Sequence, residues 1–289
     1  MPYAEIGGLR LWYETAGEAG SPVLLVMGMG LPGAGWSPLL PALAARHRVA
    51  TYDHRGIGRS EKPRGVYRVE TLAADALALL DHLGWERAHV AGISLGGLVA
   101  VEIALAARPR VRSLALLSTF PGGGLTWRPT WESMVLMPQV LFGRGRRQLA
   151  ALQRQLLSKA FLAGVDREVL TREMRSRLGP RSPSRSSLAQ FVGLMLNDPR
   201  ERLGELAGLP TLVVHGGADI VLPPRLGRRL AQSIPGSRLV MLPGAGHGII
   251  LERAQEVGPL LVEHFRAADE TGATASAEAP AIELAAGPA

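Results

Sequence analysis

The stretch Ala88-His89-Val90-Ala91-Gly92-Ile93-Ser94-Leu95-Gly96-Gly97-Leu98-Val99-Ala100 decides how the rest of this 289-residue chain is read. Ala88 to Ile93 is an apolar run of strand length, and Leu95 to Ala107 is an apolar run of helix length. Ser94 therefore stands at a strand-to-helix turn. Such a turn strains the backbone of its apex residue, and the residues two places away on either side must lack bulk for strand and helix to approach. Gly92 and Gly96 meet that requirement, and Gly97 relaxes the packing further. The turn holds the Ser94 hydroxyl at the carboxyl edge of a sheet, where the positive end of the following helix faces any negative charge developing beside it. A serine so placed can attack a carbonyl.

Working outward, strand and helix signals alternate on both sides. Tyr3 to Ile6 and Leu9 to Thr15 read as a hairpin turning at Gly7-Gly8. Pro22 to Met27 is an apolar run that marks a strand buried on both faces, followed by a helix over Trp36 to Ala45 and a strand over His47 to Asp53. Val69 to Leu83 has helical spacing and stops at Gly84; Val111 to Leu117 is a further buried strand. From Pro121 to about Asn197 strand signals vanish, and Pro129, Pro138, Pro180 and Pro183 punctuate amphipathic stretches such as Arg144 to Leu162. Alternation then resumes with a strand over Pro210 to His215, a helix over Pro223 to Ile234, a strand over Arg238 to Leu242 and a closing helix over Ile249 to Ala267. The expected organisation is an α/β core of residues 1–120 and 198–267, a helical cap over 121–197, and a disordered tail over 268–289, where composition collapses to Ala, Gly, Glu, Thr and Pro.

Composition narrows the chemistry. With no cysteine, disulfides and thiol nucleophiles are excluded, and the seven histidines lack paired metal-binding spacings, so no metal and no cofactor are expected. There is no signal-peptide pattern and no run of eighteen apolar residues, so a soluble cytoplasmic protein without a membrane partner is expected. The net charge of +7 is almost all arginine, with Lys62 and Lys159 the only lysines. The arginines between Arg128 and Arg185 are interrupted by Leu, Val and Met at helical spacing, which reads as solvated helix faces, with no nucleic-acid partner.

A serine nucleophile needs a base and a carboxylate to orient that base. Asp219 follows the strand Pro210 to His215 through Gly216-Gly217-Ala218, and His247 lies in Pro243-Gly244-Ala245-Gly246-His247-Gly248, again a loop after a strand. Ser94, Asp219 and His247 thus come from one sheet edge. An Asx turn is the alternative role for Asp219. His54 is a rival base, but Asp53 to Ser60 reads better as a glycine-bearing turn packed below the site; His89 and His215 sit at strand positions. The oxyanion donors expected are the backbone N–H groups of Leu95, directly after the serine, and Met29, in the glycine-rich loop after the third strand.

Together the elbow around Ser94, the turn Asp53-His54-Arg55-Gly56-Ile57-Gly58-Arg59-Ser60, Gly217-Ala218-Asp219 and Gly246-His247 resemble the α/β-hydrolase superfamily from roughly Ile6 to Phe265. The resemblance implies an eight-stranded, mostly parallel sheet with helices on its faces and a helical cap after the sixth strand. It also implies a serine hydrolase acting on a small or medium carboxylic ester or lactone. Non-hydrolytic members (lyases, cofactor-free haloperoxidases), C–C bond hydrolases and ligand-binding sensors share that pattern. Many relatives carry His-Gly before the oxyanion residue, where this chain has Met27-Gly28-Met29-Gly30. In the cap, Trp127, Trp131, Met134, Met137, Phe142, Phe161, Phe191 and Met195 either line an apolar pocket over Ser94 or form the cap's own core. Trp131, Met134 and Met195 are the candidate substrate contacts.

Overall fold

Strand residues alternate sides, so a strand buried on both faces must be apolar throughout. Five strands meet that condition along almost their whole length: β3 (Pro22–Val26), β4 (Arg48–Tyr52), β5 (Ala88–Ile93), β6 (Val111–Leu117) and β7 (Thr211–Gly216). In the computed structural model, which describes residues 2–124, 128–179 and 182–277, these five lie inside one eight-stranded sheet of order β1-β2-β4-β3-β5-β6-β7-β8, with β1 (Tyr3–Ile6), β2 (Leu9–Ala16) and β8 (Arg238–Leu242) toward the edges. The β1–β2 and β2–β4 pairings are antiparallel and the rest parallel.

Alternation divides the sheet's side chains between two cores. Leu24, Val26, Val90, Leu114 and Leu116 face α2 (Val69–His82) and α3 (Leu95–Ala106). Val23, Leu25, Ala91, Ala115 and Leu117 face the opposite layer, which contains α1 (Leu40–Ala44) and the long C-terminal helix α11 (Ala254–Ala277). Between β6 and β7 the described residues make five α-helices: α4 (Trp131–Phe142), α5 (Gly145–Leu156), α6 (Lys159–Ala163), α7 (Arg167–Leu178) and α8 (Ser184–Leu196). They fall within the stretch expected for the cap. Helix α9 (Pro224–Ser233) then leads to β8, and the short α10 (Ile249–Glu252) precedes α11. No helix among the described residues is long and apolar enough to cross a membrane.

Three segments differ from their sequence patterns. The helix expected from Trp36 starts at Leu40, because Gly33–Trp36 forms a separate 3-10 turn and Pro41 begins the new helix. The stretch Arg144 to Leu162 is two helices, broken at Leu157-Ser158, where the Ser158 hydroxyl caps α6 by accepting from Phe161 N–H. The closing helix breaks at Arg253 and then runs past Ala268, the expected start of the tail, to Ala277. Alanine-rich sequence with little hydrophobic content looks like a linker, yet alanine is the strongest helix former. Residues 278–289 of the expected tail, Pro180 and Trp127 lie outside the described residues.

Two polar clusters hold these layers. At the sheet end away from Ser94, Asp269 of α11 accepts from Ser21 Oγ at 2.6 Å, Arg112 Nη1 at 3.0 Å and His89 Nε2 at 3.2 Å, and Phe265 stacks on the His89 ring. At the other end, the buried Glu252 carboxylate accepts from Ser158 N (2.9 Å), Ser158 Oγ (2.6 Å) and Gly246 N (3.1 Å), while Gly248 N donates to the Leu156 carbonyl at 2.6 Å. The break between α5 and α6 is thereby tied to the loop that carries His247. A buried donor stripped of its acceptor costs roughly 1–3 kcal/mol. Glu252→Ala orphans two such N–H groups and is expected to lower the urea unfolding midpoint markedly, with Glu252→Gln intermediate. Asp269→Ala is expected to destabilise by roughly 1–3 kcal/mol in the same assay, an effect that a disordered tail at this position could not produce.

Candidate active site

Ser94 joins β5 to α3 with φ 56° and ψ −121°, in the left-handed half of backbone space that a non-glycine residue enters only when its surroundings compel it. The compulsion is visible in its neighbours. A Cβ added to Gly92 would lie 2.1 Å from the Gly96 carbonyl oxygen, and one added to Gly96 would lie 2.1 Å from the Val26 carbonyl oxygen. Ser94 N donates to the Leu117 carbonyl at 2.9 Å, and its own carbonyl accepts from Gly97 N at 2.9 Å and Thr119 Oγ1 at 2.8 Å. Every backbone polar group at the apex is therefore engaged, and the side chain is left to project.

His247 and Asp219 meet in the loops after β8 and β7. Asp219 Oδ2 accepts from His247 Nδ1 at 2.7 Å, and both residues are buried. Asp219 Oδ1 accepts from Val221 N at 2.8 Å and Leu222 N at 2.9 Å, so an Asx-type turn role and an orienting role coexist in one carboxylate. With its Nδ1 proton pointing at Asp219, His247 presents Nε2 as an acceptor. His215 lies 3.5 Å from Asp219 Oδ2, but its Nε2 donates to the Leu222 carbonyl at 2.7 Å, and burial lowers its proton affinity. It is a neutral buried histidine packed against Gly227 of α9.

Ser94 and His247 line a common cavity, walled by α4 and α5 through Met137, Val140, Leu152, Gln155 and Leu156. Two expected substrate contacts are elsewhere: Trp131 is 76% exposed and Met134 51% exposed, on the outer side of α4. The third, Met195, packs against the core beside Gly124 and does not line the cavity. The inward positions on α4 are Met137 and Val140, about one to two turns further along, because the helix is apolar around most of its circumference and periodicity alone does not say which side faces in. Glu252 and Gln155 have no sequence signature at all; a lone acidic or amide residue on a helix carries no motif, and only the tertiary contacts identify them. Among the described residues no group of three or more His, Asp or Glu is placed to hold a metal ion.

The loop after β3 faces the serine: a Cβ on Gly28 would lie 3.3 Å from Ser94 Cβ, and Met29 lines the cavity. Leu95 is the first residue of α3, so its N–H has no partner within the helix. His54 supports this loop from below by donating from Nε2 to the Met27 carbonyl at 3.0 Å, and the Asp53 carboxylate accepts from Gly33 N and Arg59 N, both at 2.8 Å. The turn Asp53 to Ser60 is thus a buttress, as its glycines imply. Burial pushes the His54 imidazole down to about 4. Folded His54 stays neutral where an unfolded histidine takes up a proton, below about 6.5, so the unfolded state binds more protons between those limits and stability falls as pH drops through them. His54→Asn is expected to make the urea midpoint less steeply dependent on pH between about 6.5 and 4 than in the wild type, whatever its stability at pH 8; parallel slopes would refute the assignment.

Comparison with known proteins places this architecture. Residues 21–254 match the family model described as the alpha/beta hydrolase fold. The chain is 34% identical over 247 residues, 86% of its own length and 91% of the relative's, to a putative carbamate hydrolase of Azorhizobium caulinodans. It is 32% identical to a pimeloyl-[acyl-carrier protein] methyl ester esterase of Aeromonas hydrophila, over 85% of this chain and 95% of that one. Among solved structures it superposes on the enol-lactonase of Burkholderia xenovorans with a TM-score of 0.80 at 28% identity, covering 92% of this chain and all of that one. An elbow serine, a loop aspartate and a loop histidine carried in that order by an eight-stranded sheet are accounted for together: the chain belongs to the α/β-hydrolase-fold family.

Proposed function

We propose that the protein hydrolyses a small or medium carboxylic ester or lactone through an acyl-enzyme on Ser94. The observation that carries this reading is the strained Ser94 sharing one apolar cavity with His247, whose other ring nitrogen is held by Asp219 at 2.7 Å. His247 Nε2 takes the Ser94 proton as Oγ attacks the acyl carbon, and the Asp219 carboxylate stabilises the imidazolium that forms. The tetrahedral oxygen takes its negative charge into the N–H groups of Leu95 and Met29. Collapse expels the alcohol, which receives the proton from His247. Water, deprotonated by the same nitrogen, then attacks the acyl carbon and releases the acid with Ser94 restored. The apolar walls favour a hydrocarbon-rich acyl or alcohol portion.

A second reading, cleavage of a carbamate, draws on the 34% identity to a putative carbamate hydrolase. The steps are the same with nitrogen on the acyl carbon, so the two readings differ in substrate and not in machinery. Brief exposure to a fluorophosphonate is expected to add one adduct to the intact mass of the wild type and none to Ser94→Ala. Turnover of short p-nitrophenyl esters should fall at least about a thousandfold in that variant. Folded wild-type protein that neither labels nor turns over any ester or carbamate would overturn the acyl-enzyme mechanism and favour a lyase or a ligand-binding role.

A further inference from the structure

The loop that follows β3 and carries Met29 is held from two directions. From the sheet side, His54 Nε2 donates to the Met27 carbonyl at 3.0 Å, and Gly33 N donates to Asp53 Oδ1 at 2.8 Å. From the opposite side, Gly30 N donates to Gln190 Oε1 of α8 at 2.8 Å. A backbone N–H can only donate, so it is the oxygen of the Gln190 amide that faces Gly30. Both residues are buried. The two are 160 positions apart in the chain, and an amide taken out of water at that depth is costly unless it is bonded.

The seat of this amide is rigid. Tyr67 N donates to the carbonyl of Ala189, the residue before Gln190, at 3.2 Å. One turn further along, Gly193 packs on the Tyr67 carbonyl with no room for a Cβ. At the end of the helix, Asn197 Nδ2 donates to Glu102 Oε1 at 2.7 Å, and Glu102 belongs to α3, the helix that Ser94 opens. Helix α8 is thus fixed to the core on both sides of Gln190. Filling space alone does not call for the glutamine, since a methionine there has similar length and no polar group to desolvate.

The bond bears on the conformation of the loop. Leu31 N donates to the Gly28 carbonyl at 3.4 Å, closing a turn whose third residue, Gly30, has φ 74°. Positive φ at the third position marks a type II turn; type I differs by turning over the peptide between the second and third residues. Here that peptide joins Met29 to Gly30, and Gln190 bonds its N–H. On the other side of the Met29 Cα, the Met29 N–H has no acceptor among the described residues, and it is one of the two donors that the acyl-enzyme mechanism needs aimed at the tetrahedral oxygen.

We propose that Gln190 is a positioning residue of the oxyanion hole: by fixing the Met29–Gly30 peptide from α8, it keeps Met29 N–H trained on the oxygen that becomes negative when Ser94 attacks. The inference rests on the ester-hydrolase reading of the site. Gln190 is not among the residues that line the cavity with Ser94 and His247, so it acts through the loop and not on the substrate. A donor already in place needs no reorganisation as charge develops, whereas a turn free to rock must be ordered in each turnover. The effect therefore falls on the tetrahedral state and spares ground-state binding.

Gln190→Met keeps the reach of the side chain and removes the acceptor. It is expected to lower kcat/KM for short p-nitrophenyl esters by roughly ten- to a hundredfold. Affinity for a short alkylboronic acid, whose adduct on Ser94 is tetrahedral, should fall by a similar factor, while calorimetric affinity of the ester for Ser94→Ala stays within about twofold with or without Gln190→Met. Exchange of the Gly30 amide, read by mass spectrometry on fragments spanning it, should quicken in Gln190→Met while fragments across β5 and α3 are unchanged. Ser187→Ala is the control: Ser187 packs against the same glycine from the same helix, but its hydroxyl bonds to nothing among the described residues, and turnover should hold. Equal losses in turnover, boronate affinity and ester affinity, or the same losses in Ser187→Ala, would make Gln190 a packing residue and overturn the proposal. Undiminished turnover in Gln190→Met would overturn it as well. Wild-type protein that turns over no ester and binds no boronate, beside a Gly30 amide released by Gln190→Met alone, would overturn the hydrolase reading and leave the tie between α8 and the loop standing.

Discussion

The rest of the site depends on how closely three pieces of backbone meet at the elbow. With β5, β3 and the first turn of α3 packed so that neither Gly92 nor Gly96 has room for a Cβ, the residue between them cannot relax into an ordinary strand or helix conformation. Its positive φ follows from that crowding. The strain is sustained by the two cores on either side of the sheet, which hold β3, β5 and β6 in register. Because parallel strands all deliver their following loops to one edge, the same architecture that strains Ser94 brings the loops after β7 and β8 to it.

Helices α5 and α6 are seated by the polar interior of the break between them and not by apolar packing alone. Glu252 joins Ser158 to Gly246, one residue before His247. Displacing these helices therefore disturbs the histidine loop, and a substitution at residue 252 acts on both at once. The Thr130 bonds to Ile220 make a comparable link on the aspartate side. The loops that carry Asp219 and His247 are thus anchored to helices whose inner faces shape the cavity, which couples the positions of these two side chains to the form of the pocket.

The strands were legible because burial on two faces demands uninterrupted apolar runs, and β5, β6 and β8 have the bounds their sequence implies. The placing of Ser94, His247 and Asp219 at one sheet edge was legible because each is a polar side chain beside small residues at the end of a strand, where packing alone does not call for one. Of the residues named for the cavity wall, Met137 alone among the described ones lines it. On α4, Trp131 and Met134 look as suited to a pocket as Met137 and Val140, and only the docking of the helix separates them. Glu252, Gln155 and Asp269 matter through partners roughly 6 to 250 positions away in the chain, distances at which no local pattern carries information. Asp269 is the converse case, since a segment poor in large apolar residues is ordered through one carboxylate and its four-residue neighbour Phe265.

The two sides of α4 bear on how the cavity beside Ser94 can change over time. Met137 and Val140 touch the cavity while Trp131, Met134, Val135 and Phe142 on the same helix meet solvent. The wall between cavity and bulk water is there a single helix thick among the described residues, because the outer side chains of α4 are exposed. Residues on the outside of that partition can reshape the chamber without ever touching its contents, so new selectivity can arise at positions remote from the chemistry and leave the elbow and its loops untouched.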